Sequence, residues 1–413
     1  MTLQKVLSEI PALVVDTVKD WGSEKDVAKV VYAAVCTKQQ GLESVLVPLV
    51  VKACISAMPQ DVSKFSVDFL RTVKIAGGSL ADSFTLEGMV FEREPETTLK
   101  EITTPVKVAV YSTAIDIAST ETKGTVLLEN AQQVLDFSKG EEAGCEAIMR
   151  ALSEAGFKVL VTGGTVGDMM LHFANRYDMI VLKVLSKFDL RRLCAAIGAK
   201  ALATFGAVLP TDEEAGAASS VQVVEIGGSR CTIMRSPNSA TVSMVLRSST
   251  QASMDDIERA IESGISAVRA CTRNAELLAG AGAFEMEVSR LLESYARGIP
   301  GVAQYAVEAA SKAFRIVPHV LAENAVGAAG SQALVGELLR RHVREGEVQA
   351  GIFEDGRIAN AAEEGVFDLE AAKKSAIELA FDAALTVLRI DQIIMSRLAG
   401  GPKPRAVSNQ QDD

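Results

Sequence analysis

The residues best suited to chemistry lie in one stretch, Arg273 to Val288, reading R-N-A-E-L-L-A-G-A-G-A-F-E-M-E-V. A run of small residues, Ala279-Gly280-Ala281-Gly282-Ala283, leads into an amphipathic segment with Phe284, Val288, Leu291 and Leu292 as its apolar positions. Glu285 and Glu287 fall in its first turn. Glycine lets a backbone turn tightly and lets a ligand approach it closely. A helix N-terminus offers unpaired N–H groups and a partial positive charge, so this junction can seat a phosphate. It can equally be a tight entry into a packed helix, because G-x-G before a helix is a common pattern.

The elements that must position this stretch belong to a chain of 413 residues, long enough for two or three domains. Hydrophobic residues make up 48% and aromatics 5%, so the cores are built by aliphatic packing. A formal charge of -11 argues against a nucleic-acid partner, which calls for clustered basic residues. The longest apolar window, Val45 to Met58, is broken by Lys52, so no membrane span is expected. The N-terminus has no long apolar run of the kind a secretion signal needs. Six scattered cysteines without a C-x-x-C and three distant histidines (His172, His319, His342) give no metal-ligand spacing. Reduced thiols and a cytoplasmic location are expected.

Hydrophobic periodicity divides the chain into three textures. Residues 3–58 read as helices, with Val27, Val30, Val31, Ala34 and Val35, then Leu46, Leu49, Val50 and Cys54, at helical spacing. From about Asp68 strands and helices alternate. Val106 to Tyr111, Val159 to Val161 and Met179 to Val184 read as strands. Ala131 to Leu152 reads as a helix or helix pair around Gly140, with Asp168 to Arg176 and Leu190 to Ile197 as further helices. A hairpin is expected across Gly227-Gly228. After Val242 to Leu246 the texture returns to helix: Asp255 to Ala270 (capped near Ser253), Glu285 to Arg297, Val302 to Phe314 and Leu369 to Leu388. A second hairpin is expected across Asp355-Gly356 and a last strand at Arg389 to Met395. The tail from Ala399 is expected to be disordered. Helical sequence thus flanks a layered α/β insert.

Several motifs then carry a resemblance. They are L-R-I-D-Q-I-I-M and A-G-G-P-K-P between Leu388 and Pro404, T-E-T-K-G-T-V-L (Thr120 to Leu127) and F-S-K-G-E-E (Phe137 to Glu142). V-T-G-G (Val161 to Gly164), D-L-R-R-L-C (Asp189 to Cys194), D-D-I-E-R-A (Asp255 to Ala260) and L-A-E-N (Leu321 to Asn324) complete the set. Together they resemble the group II chaperonins, the theta-type subunits of the eukaryotic cytosolic chaperonin TRiC/CCT in particular, in order along nearly the whole chain. The resemblance implies an α/β multidomain fold with nested equatorial, intermediate and apical domains, the equatorial one incomplete. The implied segments are 1–15 equatorial, 16–83 intermediate, 84–241 apical, 242–272 intermediate, 273–398 equatorial and a 399–413 tail. It implies hetero-oligomeric double rings with other chaperonin subunits, unfolded cytosolic clients such as actin and tubulin, and Mg-dependent ATP.

The resemblance also implies site residues. Gly280, Ala281 and Gly282 match the family's phosphate-facing G-G-G, with an alanine in the middle. A positive φ at Ala281 would carry strain. Thr37 and Lys38 match a nucleotide-sensing loop, and a lysine there is a mobile cation suited to phosphate. Asp368, in G-V-F-D, matches an acidic residue that accepts from the ribose or base, and Lys373 follows about one helical turn later. Asn274 is expected where the family carries an aspartate that orients the attacking water. An amide cannot act as that base, so hydrolysis is expected to be impaired, with no catalytic residue and no metal ligand assigned. The family's G-D-G-T-T is absent from the 413 residues, and the chain is expected to start downstream of it.

The remaining expectations concern surfaces. The helix Asp189 to Ala199 matches the family's client-binding element, with Arg191 and Arg192 offering charge and Leu193, Ala195, Ala196 and Ile197 apolar contact. It can also be an amphipathic helix that covers its own sheet. Thr120 to Glu142 is expected to form a helical protrusion. Helices Val27 to Val35 and Ala306 to Phe314 are expected to lose part of their cover, leaving apolar faces exposed. Two other functions stay open: a ring-independent client-binding module, or a fragment of an ordinary ATP-hydrolysing theta-type subunit.

Overall fold

The computed structural model describes residues 1–116, 131–206, 209–236, 241–395 and 401. The chain opens with α1 (Thr2–Glu9), β1 (Val14–Thr17), α2 (Glu24–Cys36), α3 (Glu43–Ser56), β2 (Leu70–Ala76) and β3 (Phe84–Glu87). A central unit follows: β4 (Met89–Phe91), β5 (Glu101–Ile102), β6 (Val106–Tyr111), α4 (Ala131–Glu154), β7 (Phe157–Thr162), α5 (Asp168–Arg176), β8 (Ile180–Lys183), α6 (Lys187–Ile197), β9 (Gly216–Ala218), β10 (Ser220–Ile226) and β11 (Ser229–Arg235). The return passes through β12 (Val242–Ser248) and α7 (Gln251–Cys271). Last come β13 (Glu276–Ala279), α8 (Ala283–Arg297), α9 (Ala303–Phe314), α10 (Ile316–Val326), α11 (Ala328–Arg340), β14 (Ala350–Ile352), β15 (Ile358–Asn360), β16 (Phe367–Leu369) and α12 (Glu370–Leu388).

The central unit holds a sheet ordered β8-β7-β6-β9, its first three strands parallel. Alternation along β6 divides its two faces. Val108 and Val110 pack with α6, while Ala109 and Tyr111 pack with α4 and α5. A second sheet, β4-β11-β10-β5, turns at Gly227-Gly228, both with positive φ, as the paired glycines require. The middle layer is the sheet β2-β12-β3 covered by α2, α3 and α7. There Val27, Val31, Val35, Leu46 and Val50 are fully buried, each stabilising by about 1.5–3 kcal/mol. Gly264 lets α7 approach closely: a Cβ there would lie 3.3 Å from Val31 and Val35.

The terminal unit is built on β13, flanked antiparallel by β1 and β16. Leu277 faces the α2/α3/α7 core and Leu278 faces the core of α1, α8, α9 and α12. Burial on both faces accounts for the unbroken apolar run at this strand. It also makes β13 the bridge between the two helical cores.

Several expectations change. The chain has a strand, β1, within the segment read as all helix, and α10 and α11 had no signal assigned to them. Gly140 does not split its helix; α4 runs through it, and the part of the expected protrusion before Ala131 lies outside the described residues, as does nearly all of the tail. The cap of α7 is Thr250, whose side chain accepts from Ser253 N–H. Asp391 to Met395 is not a strand; it is exposed, irregular backbone after α12. Helix α2 has its apolar face covered, against expectation, because α3 and α7 pack on it. The α9–α10 region does expose Val302, Tyr305, Ile316 and Val320. β3 pairs with β12, so the chain leaves the middle sheet at Gly88, not at residue 83.

Gly88 shows why glycine is needed at that crossing. Its φ is +119°, and a Cβ would sit 2.3 Å from the Met234 carbonyl oxygen. Its N–H donates to Thr241 O at 2.9 Å and its O accepts from Ser243 Oγ at 2.7 Å. Gly88→Ala is expected to destabilise by about 3 kcal/mol or more through clash and backbone strain, read as a lower urea midpoint; an unchanged midpoint would contradict this account of the crossing.

Candidate functional site

The strand β13 delivers the small-residue turn to the start of α8. Gly280 N–H donates to Val366 O at 3.0 Å, and Ala283 N–H to Gly280 O at 3.0 Å. Ala281 adopts φ +54° and Gly282 +77°. The expected strain at Ala281 is therefore present. It is held by β14: Ile352 N–H donates to Ala281 O at 2.9 Å, and Gly351 has no Cβ where one would meet Ala281 Cβ at 2.7 Å.

This geometry commits the carbonyls and spares donors. The N–H groups of Ala281, Gly282, Phe284 and Glu285 have no protein acceptor among the described residues. Four such donors at the start of a fifteen-residue helix are of the kind that can hold an anion. The side chains of the turn are explained by packing alone, since a Cβ on Gly280 would meet Val366 at 3.0 Å and one on Gly282 would meet Leu321 at 3.1 Å. Close packing and acceptor-free donors thus coexist here, the first through the missing side chains and the second through the backbone.

Asp368 and Lys373 come to the same place. Asp368 lies opposite Leu278 in the β13–β16 register, two residues before Gly280 and about 7 Å along the strand. Lys373 Nζ is 3.0 Å from Asp368 Oδ2 and also bonds Glu285 Oε1. Burial pulls the Lys373 ammonium down, but the two carboxylates outweigh it and hold it above its ordinary value. Glu285 is 5% exposed, and its second oxygen, Oε2, is buried without a hydrogen bond. Two turns of α8 bury a second carboxylate, Glu287, bonded by Arg290 Nε at 3.0 Å and His342 Nδ1 at 3.0 Å. Burial pushes Glu287 up, and His342 and Arg290 more than offset that.

Thr37 and Lys38 follow the last turn of α2. Thr37 Oγ1 donates to Ala34 O at 2.8 Å, so that hydroxyl is spent on its own helix end. Lys38 is exposed and forms no salt bridge among the described residues. Two residues on, Gln40 Nε2 donates to Glu354 Oε2 at 2.8 Å. Glu354 is at the tip of the β14–β15 hairpin, which in turn bonds Ala281. The loop is joined to the turn through that hairpin.

Asn274 does not join them. It stands before β13, and the four strand residues between it and Gly280 span about 13 Å. Its Nδ2 donates to Glu370 Oε2 at 2.6 Å and its Oδ1 accepts from Glu276 N–H at 3.2 Å. It reads as a local brace between β13 and α12, not as a group beside the turn. The buried acids Glu285, Glu287 and Glu370 were not singled out as site residues from the sequence. One signal was there: residues 285 and 287 are about 200° apart on a helix, so they cannot share one solvent face. Among the described residues no group of three or more His, Cys, Asp or Glu side chains could hold a metal ion, and no helix is long and apolar enough to cross a membrane.

The nested layout, an α/β unit entered and left through a middle layer that joins it to a terminal helical unit, is that of a chaperonin subunit. The open-state monomer of a group II chaperonin from Methanococcoides burtonii shares this fold, with a TM-score of 0.68 at 22% identity over 94% of this chain and 90% of that one. The chain belongs to the TCP-1/cpn60 chaperonin family, whose sequence profile matches residues 1–397. It is 43% identical to the probable T-complex protein 1 subunit theta of Schizosaccharomyces pombe, over 99% of this chain and 74% of that protein. It is 40% identical to the Saccharomyces cerevisiae theta subunit (100% and 77%) and 39% identical to the human one (98% and 73%).

Two substitutions check the site. Ala281→Gly removes the Cβ from a left-handed position and is expected to stabilise by about 1 kcal/mol in thermal melts; a loss of stability would show that the alanine methyl is needed by β14. Asn274→Asp faces two carboxylates at the 2.6 Å contact. It is expected to cost about 2 kcal/mol at pH 7 and less at pH 4, where carboxylates take up protons. A cost that does not depend on pH would mean that Glu370 is not the partner.

Proposed function

We propose that this chaperonin-family chain acts as a theta-type subunit in a hetero-oligomeric ring, assisting the folding of cytosolic proteins and taking ATP or ADP at the start of α8. The observation that carries the reading is the row of four acceptor-free N–H groups with Asp368 and Lys373 close by. The N–H groups would hold phosphate oxygens, Lys38 would supply a mobile cation, and Asp368 would accept from the ribose or base. Bound Mg·ATP supplies the phosphoryl group and its neutralising ion. The carboxylates nearest the turn, Glu285 and Asp368, are both tied to Lys373, which supports impaired hydrolysis by this chain. Actin and tubulin are the client class that the sequence resemblance suggests.

Client contact is assigned to the outward face of α6, which keeps Arg191 and Ala195 of the expected residues. Leu193, Ala196 and Ile197 are buried against the sheet. Arg192 is partly buried and 3.4 Å from Asp189. The outward face holds Lys187, Phe188, Arg191 and Ala195, and Phe188 is 75% exposed. One bulky apolar group among cations suits partly folded chains of varied sequence.

Calorimetry on the purified chain is expected to show ADP binding that Lys38→Ala weakens, with ATP turnover near background. Absence of ADP binding rejects the cleft, and brisk turnover rejects the impairment. Phe188→Ser is expected to lower protection of a chemically denatured protein against aggregation by roughly tenfold in effective affinity, with the melting temperature unchanged. Undiminished protection would remove Phe188 from the client surface.

A further inference from the structure

The placement of the Glu285 side chain is costly. A carboxylate in the first turn of α8, 5% exposed and with one oxygen unbonded, is expensive to desolvate. Among the described residues, Lys373 Nζ bonds its other oxygen. The same ammonium is 3.0 Å from Asp368 Oδ2, so one cation serves two carboxylates. A lysine ammonium has three donors and no acceptor, and its attraction is divided between the two partners. What Glu285 draws from Lys373, Asp368 does not receive.

We propose that Glu285 is a positioning residue for ribonucleotide selectivity: by sharing Lys373 it weakens that ammonium's hold on Asp368, whose carboxylate can then accept from ribose hydroxyls. This rests on the nucleotide reading of the cleft and adds the residue that tunes it. A ribose hydroxyl bonded to a charged acceptor such as Asp368 gains more than one bonded to a neutral acceptor. Without the Glu285 charge, Lys373 would settle on Asp368, and a ribose hydroxyl would compete with a full ion pair. The Glu285 side chain touches no ligand in this scheme. It acts through where Lys373 rests.

The test compares binding of ADP and 2′,3′-dideoxy-ADP to the purified full chain by calorimetry. The unaltered chain is expected to prefer ADP by roughly tenfold or more, and Asp368→Asn to abolish that preference. Glu285→Gln is expected to reduce the preference at least threefold while dideoxy-ADP binding stays within twofold. The double variant Glu285→Gln/Lys373→Met removes both charges and is expected to restore the preference, since nothing then competes for Asp368. Because it leaves no uncompensated buried charge at Glu285, it is measurable even if the single variant fails to fold. An unchanged preference in Glu285→Gln, or a double variant that does not recover it, overturns the proposal while leaving nucleotide binding in place. If neither nucleotide binds the unaltered chain, the cleft reading itself fails and the proposal falls with it.

Discussion

Burying Glu285 and Glu287 in the first two turns of α8 is the constraint on which the terminal unit depends. Each carboxylate loses its water, and each loss must be offset by a cation held in place by something other than α8 alone. Lys373 comes from α12 and His342 from the turn after α11, while Arg290 comes from the next turn of α8 itself. Two of the three partners therefore tie distant chain segments to one helix end. His342 reaches further, since its Nε2 is 2.9 Å from the Ala350 carbonyl and so fixes the start of β14. The strand that bonds Ala281 is thereby anchored to the same helix that Ala281 precedes.

That closed circuit explains how a strained alanine persists. A non-glycine residue at φ +54° costs on the order of 1–3 kcal/mol and survives only when its surroundings leave no alternative. Here Ile352 N–H fixes the Ala281 carbonyl, Gly280 is fixed by Val366, and Gly351 leaves room for the methyl. The same bonds occupy the carbonyls of the turn and leave the N–H groups of Ala281 and Gly282 without an acceptor among the described residues.

The sequence made the helical flanks, the α/β insert and both glycine hairpins legible, because each rests on local periodicity or on residues that only one turn type accepts. Three features were not legible. β1 is four residues long and is a strand only because β13 lies beside it. The face of α6 was misjudged because Leu193, Ala196 and Ile197 satisfy a helical stripe whichever way the helix turns, and the sheet beneath decides that stripe is inward. At the site, Gly280, Asp368 and Lys373 lie together, while Asn274, matched to the family's aspartate, stands at the other end of β13. Extended backbone separates residues along a strand faster than any other conformation.

The central unit is joined to the middle layer by only two chain crossings, yet its orientation does not depend on those linkers. Val73, Ile75 and Val245 of the middle sheet share one apolar cluster with Val90, Ile226, Cys231 and Ile233 of the central unit. Arg247 Nε donates to Gly77 O at 2.8 Å, and its guanidinium packs where a Cβ on Gly227 would sit, 2.5 Å away. Arg71 of β2 pairs with Asp189 in the first turn of α6. Apolar contact supplies most of the free energy across such a seam, and the two arginines supply direction, since guanidinium geometry tolerates little rotation. The outward face of α6, with Phe188 and Arg191, is therefore set by β2 and β12 as much as by the sheet it covers. A change at Arg71 would reach the outward face of α6 through Asp189 without altering any residue on it.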